Sequence, residues 1–294
     1  MNEFDELIEQ ASGQNAALPS QQTDKAAWAE QKKQERQAVY DMVDEAAALT
    51  AVEPGMLAAY LDCQSHFDRY SARNALLVAF QCPEATKLAT FEEWKVKGVH
   101  IRKGETAISI LVPGKEYARR SGGKGVSFLV GKVFDISQTD CAASVRSVSH
   151  DPRRLLESLI RSAPCGFEVR SELDTDALFS PQDRKILVRQ GQQPQALFRA
   201  ISREMAVCRY SNARQRGKEP IQDAHCISYI LCQRFGISTD EIPLKTVTKS
   251  MAGLEARDIQ TRLKRIREVS GELTNRLRQQ LEPTRKQHRS EEAR

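Results

Sequence analysis

The chain has 294 residues, of which 40% are hydrophobic and 28% charged, with 44 basic against 39 acidic side chains. This length suits about two domains of roughly 150 residues, so a mini-protein scaffold is excluded. No apolar run reaches the roughly 18 residues of a membrane-spanning helix, and the amino terminus lacks a secretion signal pattern, so neither membrane insertion nor secretion is expected. Seven cysteines without a C-x-x-C pair favour a reduced, cytoplasmic protein.

The first elements in chain order are helical. Residues 1–35 are rich in Gln, Ala and charged residues, which indicates a disordered or marginally helical arm. The pattern over 38–60 predicts two helices, with the break at Pro54. A third helix is predicted after a cap at Ser71, and it stops before Pro83.

The chain then changes to a strand pattern. A short helix through Trp94 is followed by a predicted hairpin between Gly98 and Gly104. Two β-branched and apolar runs follow, separated by a Gly-rich loop, and the first is predicted to end at Pro113. These elements predict a small α+β domain over residues 36–140.

The second half is a separate predicted domain over 151–282. It opens with a helix and a strand, followed by a hairpin that turns at Pro181–Arg184 and by two apolar helices. Along 254–281 apolar residues recur every three or four positions, which predicts a long helix packed by one stripe, and 283–294 is predicted to be a frayed tail. The fold class is therefore α+β with two domains.

Cations concentrate in the amino-terminal domain, with nine basic against four acidic residues between Phe91 and Phe134. Lys and Arg neutralise backbone phosphates, and each unstacked base gains about 1–3 kcal/mol on an aromatic face. This mixture is typical of surfaces that bind single strands. The candidate DNA-binding residues are Arg69, Tyr70, Arg73, Asn74, Trp94, Lys97, Arg102, Lys103, Lys115, Arg119, Arg120 and Lys124.

A simpler interpretation competes with this one. Cations on hairpins are usually the solvated face of a sheet, and aromatic residues such as Tyr70 and Trp94 are more often core than stacking platforms. Composition alone favours the simpler interpretation. The Gly-rich loop lacks G-x-x-x-x-G-K-[ST], so a nucleotide P-loop is not supported.

Residues 67–113 resemble the N-terminal domain of ArdC-type antirestriction proteins and related conjugation-associated proteins. The shared motifs are a Tyr-Ser-x-x-Asn helix, a Gln-x-Pro segment, a Phe-x-x-Trp helix, a glycine-bounded basic hairpin and a strand ending in Pro, and the likeness continues over 132–139. The resemblance implies single-stranded DNA as partner and a mobile genetic element as context, in conjugation, phage or antirestriction.

The second half of that family is a zincin-like metallopeptidase domain, in which a His-Glu-x-x-His helix binds zinc and supplies the base. Here the matching positions hold Arg203, Glu204 and Val207, and Asp223 is the nearest match to the acidic ligand. The resemblance therefore implies a degenerate site with a vestigial Glu204, no catalytic residue, no metal and no cofactor. Arg203 is expected to pair with Glu204 or Asp223.

Cys208 and His225 lie one or two residues from the ligand positions. These offsets rotate them by roughly 100° or more around their helices, so a rebuilt metal site is disfavoured. The preferred function is a non-enzymatic single-stranded DNA-binding protein with an inactive metallopeptidase-like domain. The alternatives are a zinc metallopeptidase with a rebuilt site, or a protein-interaction module whose C-terminal helix, with 11 basic and 7 acidic residues over 255–294, binds a partner.

Overall fold

A computed structural model describes residues 21–118, 122–141, 150–212 and 220–291. The helices in this part of the chain are α1 Gln21–Thr50, α2 Pro54–His66, α3 Ala72–Gln81, α4 Phe91–Val96, α5 Pro152–Ser162, α6 Pro194–Asn212, α7 Pro220–Phe235, α8 Leu244–Ser250 and α9 Ala256–Glu291. The strands are β1 Leu88–Ala89, β2 Ile108–Ala118, β3 Lys124–Asp135, β4 Gly166–Arg170, β5 Ala177–Ser180 and β6 Lys185–Arg189. The predicted α+β class is confirmed.

The first three helices begin where local chemistry places them. Pro54 occupies the first turn of α2, where its missing N–H costs no helical hydrogen bond. Ser71 caps α3 by accepting a hydrogen bond from the backbone N–H of Asn74 at 3.2 Å. Helix α1 extends back to Gln21, so residues 21–35 of the predicted arm are helical, while residues 1–20 lie outside the described residues.

The first sheet has the order β1-β3-β2, with both pairings antiparallel. Strand β2 does not end at Pro113 but continues to Ala118 through a register shift between Pro113 and Glu116. Proline is tolerated there because β2 is an edge strand. The hairpin predicted between Gly98 and Gly104 is also absent from this segment, where Ile101 instead makes an isolated bridge.

The second sheet has the order β4-β6-β5 and lies beside the long helices. Strand β4 pairs parallel with β6, and β5 pairs antiparallel with β6 through the predicted turn at Pro181–Arg184. Helix α9 buries the predicted apolar stripe from Ile259 to Leu277 and continues past residue 282 to Glu291, whereas Leu254 precedes the helix and is 41% exposed. The buried stripe consists of Ile259, Leu263, Ile266, Val269, Leu273 and Leu277.

Both halves of the chain contribute to one hydrophobic core. The Tyr60 hydroxyl donates to the backbone carbonyl of Leu263 at 3.3 Å, and the Arg267 Nε donates to that of Tyr70 at 2.7 Å. Arg234 on α7 donates to the carbonyl of Gln64 at 2.7 Å. These hydrogen bonds connect the amino-terminal helices to α7 and α9 of the second half.

None of the described helices combines the length and apolarity that crossing a membrane requires.

Candidate functional site

Trp94 is a core residue. It is 1% exposed, and its Nε1 donates to the backbone carbonyl of Phe134 at 2.9 Å. The Nζ atoms of Lys97 and Lys87 lie 4.9 Å and 5.7 Å from the ring centroid. A base has no access to this ring, so the prediction that Trp94 stacks on DNA is wrong. The reason is that α4 docks against the end of β3, a contact between distant parts of the chain.

Asn74 is held by the sheet. Its Nδ2 donates to the carbonyl of Leu111 at 2.9 Å, and its Oδ1 accepts from the N–H of the same residue at 2.9 Å. Gln81, two turns along α3, binds Ser109 in the same way. The amides of α3 thus satisfy the backbone of β2, and the predicted DNA contact by Asn74 is corrected to a packing role.

Arg102 makes hydrogen bonds within the protein. Its Nη2 donates to the carbonyl of Ser137 at 2.6 Å, its Nη1 to that of Thr139 at 3.0 Å, and its Nε to Glu105 at 3.1 Å. The hydrogen bonds from Arg102 lower the pKa of Glu105. This guanidinium closes the loop before β2 onto the turn after β3, while its side chain remains 54% exposed, so the DNA contact assigned to Arg102 stays a prediction.

Other predicted cations remain at the surface. Arg69, Lys103 and Lys115 are exposed and make no ion pair within the described residues. Lys124 forms an exposed pair with Glu116 at 3.0 Å, which water and salt weaken. Two further predicted cations, Arg119 and Arg120, lie outside the described residues.

Tyr70 presents only part of its ring. It is half-buried and stacks on Phe67, with ring centroids 5.4 Å apart and an interplanar angle of 26°. Burial raises the pKa of Tyr70. One face of the ring is therefore already used by the protein.

The exposed aromatic ring of the hairpin is Tyr117, which the sequence analysis missed. It is 53% exposed and pairs across the strands with Gly125. The ring lies directly over that glycine, since a Cβ there would come within 2.6 Å of Tyr117 Cζ. Lys115 precedes it by two residues, and Lys124 lies beside Gly125 on the facing strand. The sequence pattern that could have indicated Tyr117 is an aromatic residue opposite a glycine in a predicted hairpin that contains lysines.

Helix α9 contributes further cations, which are not among the candidate DNA-binding residues predicted individually. Arg257, Lys264 and Arg267 line one side of a groove of about 540 Å³, opposite Arg73 on α3. The predicted residue Arg73 is thereby brought close to the C-terminal helix. Its Nε donates to Gln260 Oε1 at 3.1 Å.

The positions that the resemblance aligns with the metallopeptidase motif hold an ion pair. Arg203 Nε lies 2.7 Å from Glu204 Oε1, and Arg203 Nη2 donates to the carbonyl of Ala177 at 3.0 Å. The other oxygen of Glu204 accepts from the N–H of Phe179 at 2.9 Å. The expected pairing of Arg203 with Glu204 is confirmed, and both oxygens of this carboxylate are occupied by protein donors.

Asp223 pairs with a different arginine. Arg262 of α9 places its Nε 2.5 Å from Asp223 Oδ1, and its Nη2 donates to Ser250 Oγ at 2.9 Å. Asp223 is 4% exposed and Arg262 8% exposed. The carboxylate aligned with the acidic ligand is therefore neutralised by a cation from a distant helix.

These residues do not fit a metal ion. A guanidinium carries only donors, and Val207 offers no lone pair. His225 lies with Arg203 on a pocket of about 120 Å³, where burial and the nearby guanidinium lower its pKa to about 4. Across the described ranges, no group of three or more His, Cys, Asp or Glu side chains has metal-binding geometry.

Known proteins share both the sequence of the first half and the fold. Residues 23–133 match the family described as the N-terminal domain of anti-restriction factor ArdC. The metal-free crystal structure of antirestriction protein ArdC from plasmid R388 has 15% identity and a TM-score of 0.51, covering 71% of this chain and 86% of that chain. Its Mn(II)-bound structure has 16% identity and a TM-score of 0.50, covering 71% and 89%.

No protein of curated function matches the sequence. The two structural likenesses concern the fold, and the family match concerns the amino-terminal half together with the sheet that carries Tyr117. By sequence, residues 23–133 form an ArdC N-terminal domain, and the chain shares its fold with the ArdC protein of plasmid R388.

Proposed function

We propose that this protein binds single-stranded DNA, without catalysing a reaction on it, as the antirestriction factor of a mobile genetic element. The supporting observation is the Tyr117 ring, which lies over Gly125 and is 53% exposed in a hairpin that also carries Lys115 and Lys124. A single strand exposes the faces of its bases, which an aromatic ring can stack on, while a duplex hides them. The lysines of the same hairpin supply positive charge for the phosphates of a bound strand.

Binding measurements with the full chain test this function. Fluorescence anisotropy with labelled oligonucleotides should give tighter binding to single strands than to duplexes of the same length. Log affinity should fall linearly with log salt, because phosphate contacts release counterions. Equal or tighter binding to duplexes would contradict the proposal.

Substitution of the exposed ring separates stacking from charge. Y117A should weaken single-strand binding by about 5-fold to 150-fold, which corresponds to about 1–3 kcal/mol for one stacked base. Y117F should retain the affinity. Trp28→Ala is the matched control, since Trp28 is 61% exposed on α1, outside the sheet. Equal losses in the Trp28 and Tyr117 variants would argue against a specific platform.

The second half is proposed to be catalytically inactive. The support is geometric: Glu204 is bound by Arg203 and a backbone N–H, and Asp223 is bound by Arg262. A catalytic zinc site needs about three protein ligands and a water. We expect less than one zinc or manganese ion per chain after dialysis, and no cleavage of unfolded protein substrates. A stoichiometric metal that survives dialysis would restore the metallopeptidase alternative.

The antirestriction role follows physically from occupancy of the strand. A protein that covers an entering single strand blocks the approach of nucleases and restriction enzymes. Digestion of a single-stranded oligonucleotide should slow in proportion to bound protein, and Y117A should protect less at equal concentration.

The alternative function, in which α9 binds a protein partner, is not favoured by its apolar stripe. The stripe over 259–277 packs in the core, so it offers no apolar face to another protein.

A further inference from the structure

We infer that the groove between α3, the β2–β3 sheet and α9 is a second contact for the same single strand, and that α9 supplies its phosphate-binding wall. The inference rests on the proposed function, since it names further residues of the DNA path. It makes the C-terminal helix, which belongs to the metallopeptidase-like half, part of the DNA interface. The groove is lined by Ser71, Ala72, Arg73, Leu111, Phe128, Arg257, Gln260, Thr261, Lys264 and Arg267.

The charge of the groove selects an anion. Its lining includes four cationic side chains and no carboxylate. Arg257 is exposed and makes no ion pair with any described residue, and Lys264 only approaches Glu268 at 3.8 Å, in a pair exposed to solvent. Exposed pairs of this kind contribute little, about 0–1 kcal/mol, so a phosphate can replace Glu268 at low cost.

The groove is prearranged by hydrogen bonds across its base. Gln260 accepts from Arg73 Nε at 3.1 Å and donates through its own Nε2 to Asp44 at 2.6 Å. This chain holds Arg73 through its Nε, and its two terminal nitrogens make no hydrogen bond to the described residues. Arg267 is fixed in a similar way by the carbonyl of Tyr70 at 2.7 Å. Two of the four cations are thus held in place before any ligand arrives, which lowers the ordering cost of binding.

The floor is apolar and connects to the hairpin. Ala72 and Leu111 are buried, and Phe128 is partly buried and reaches the groove from β3. Lys124 lies four residues before Phe128 on the same strand, which is about 14 Å at 3.4 Å per residue. Strand β3 therefore joins the groove to the hairpin, and in the groove a base would lie over the apolar floor with phosphates against the cations.

The test removes the two exposed cations of α9 in the full chain. For R257Q/K264Q we expect a single-strand affinity about 25-fold lower at 0.1 M salt, and a salt slope smaller by about 1.4, because each phosphate contact on a single strand contributes about 0.7 to the slope. R257K/K264R should bind like the unaltered protein. The matched control is R153Q/R161Q, which removes two exposed charges from α5, outside the groove, and should change the affinity less than 3-fold.

The outcomes separate the two proposals. If the unaltered chain binds single strands and R257Q/K264Q binds them with the same slope, the groove is wrong and the hairpin function stands. If the unaltered chain does not bind single strands, both fail. Polyglutamate of equal charge should displace the oligonucleotide poorly, and complete displacement would assign the groove to acidic proteins instead. Unchanged melting temperatures in all variants confirm that binding, not folding, is measured.

Discussion

The buried pair of Asp223 and Arg262 gives the sharpest prediction for stability. Arg262→Met keeps the apolar stem of the side chain but removes the guanidinium. The variant loses the contact with Asp223 at 2.5 Å and the hydrogen bonds to Ser250 at 2.9 Å and 3.2 Å. It also leaves a carboxylate that is 4% exposed without this counter-charge.

The expected cost is large for a single substitution. Removing one partner of a buried pair typically destabilises a protein by about 3–5 kcal/mol, because the other charge stays in a poorly solvated site. Total stabilities are only about 5–15 kcal/mol. For a chain of this size, about 2 °C per kcal/mol gives a melting temperature lower by about 6–10 °C. Asp223→Asn alone should lower the free energy of unfolding by a similar amount, since the buried Arg262 guanidinium then loses the Asp223 carboxylate.

The double variant D223N/R262M distinguishes a pair from two separate effects. Because neither charge remains, it should be more stable than the sum of the single losses indicates, with a coupling free energy of at least about 2 kcal/mol. Urea unfolding followed by circular dichroism measures all four proteins, and equal m-values keep the cycle valid. Single losses below about 1 kcal/mol, or strict additivity, would refute the reasoning.

Three further predictions follow from other contacts. Trp94→Ala should destabilise the protein by about 3–5 kcal/mol, as expected for a large core cavity. At temperatures where the variant is folded, its affinity for single strands should equal that of the unaltered chain. A folded variant that has lost binding would contradict the assignment of Trp94 to the core. The pKa of His225 is about 4 in the folded protein, against an ordinary value of 6.5. The unfolded state therefore binds more protons between pH 4 and 6.5, so the free energy of unfolding should fall as the pH drops through this range, by at most about 1.4 kcal/mol per pH unit. Urea titrations should show that His225→Gln removes this contribution. The double variant Arg203→His/Val207→His should bind zinc weakly in calorimetry. Adding Arg262→Met should tighten zinc binding, because the Asp223 carboxylate is then released from Arg262. No metal binding by the triple variant would show that the helix lacks zincin geometry.

Features that depend on neighbouring residues could be read from the sequence. The cap at Ser71, the start of α2 at Pro54, the turn at Pro181–Arg184 and the apolar stripe of α9 all arise within a few residues of chain. The mismatch at the metal-ligand positions is of the same kind, since a guanidinium cannot act as a ligand in any surroundings.

Burial and pairing between distant residues were decided by the tertiary structure. Trp94 and Asn74 look like binding residues in the sequence, but contacts with residues 40 and 37 positions away bury the Trp94 ring and bind the Asn74 amide to the backbone of β2. Asp223 is neutralised by Arg262, 39 positions along, which no local pattern indicates. The groove at Arg73 exists only because α9 folds back across the chain. Sequence determines which groups are present and which local elements form, whereas the free energy of burying each group depends on what the folded chain packs against it.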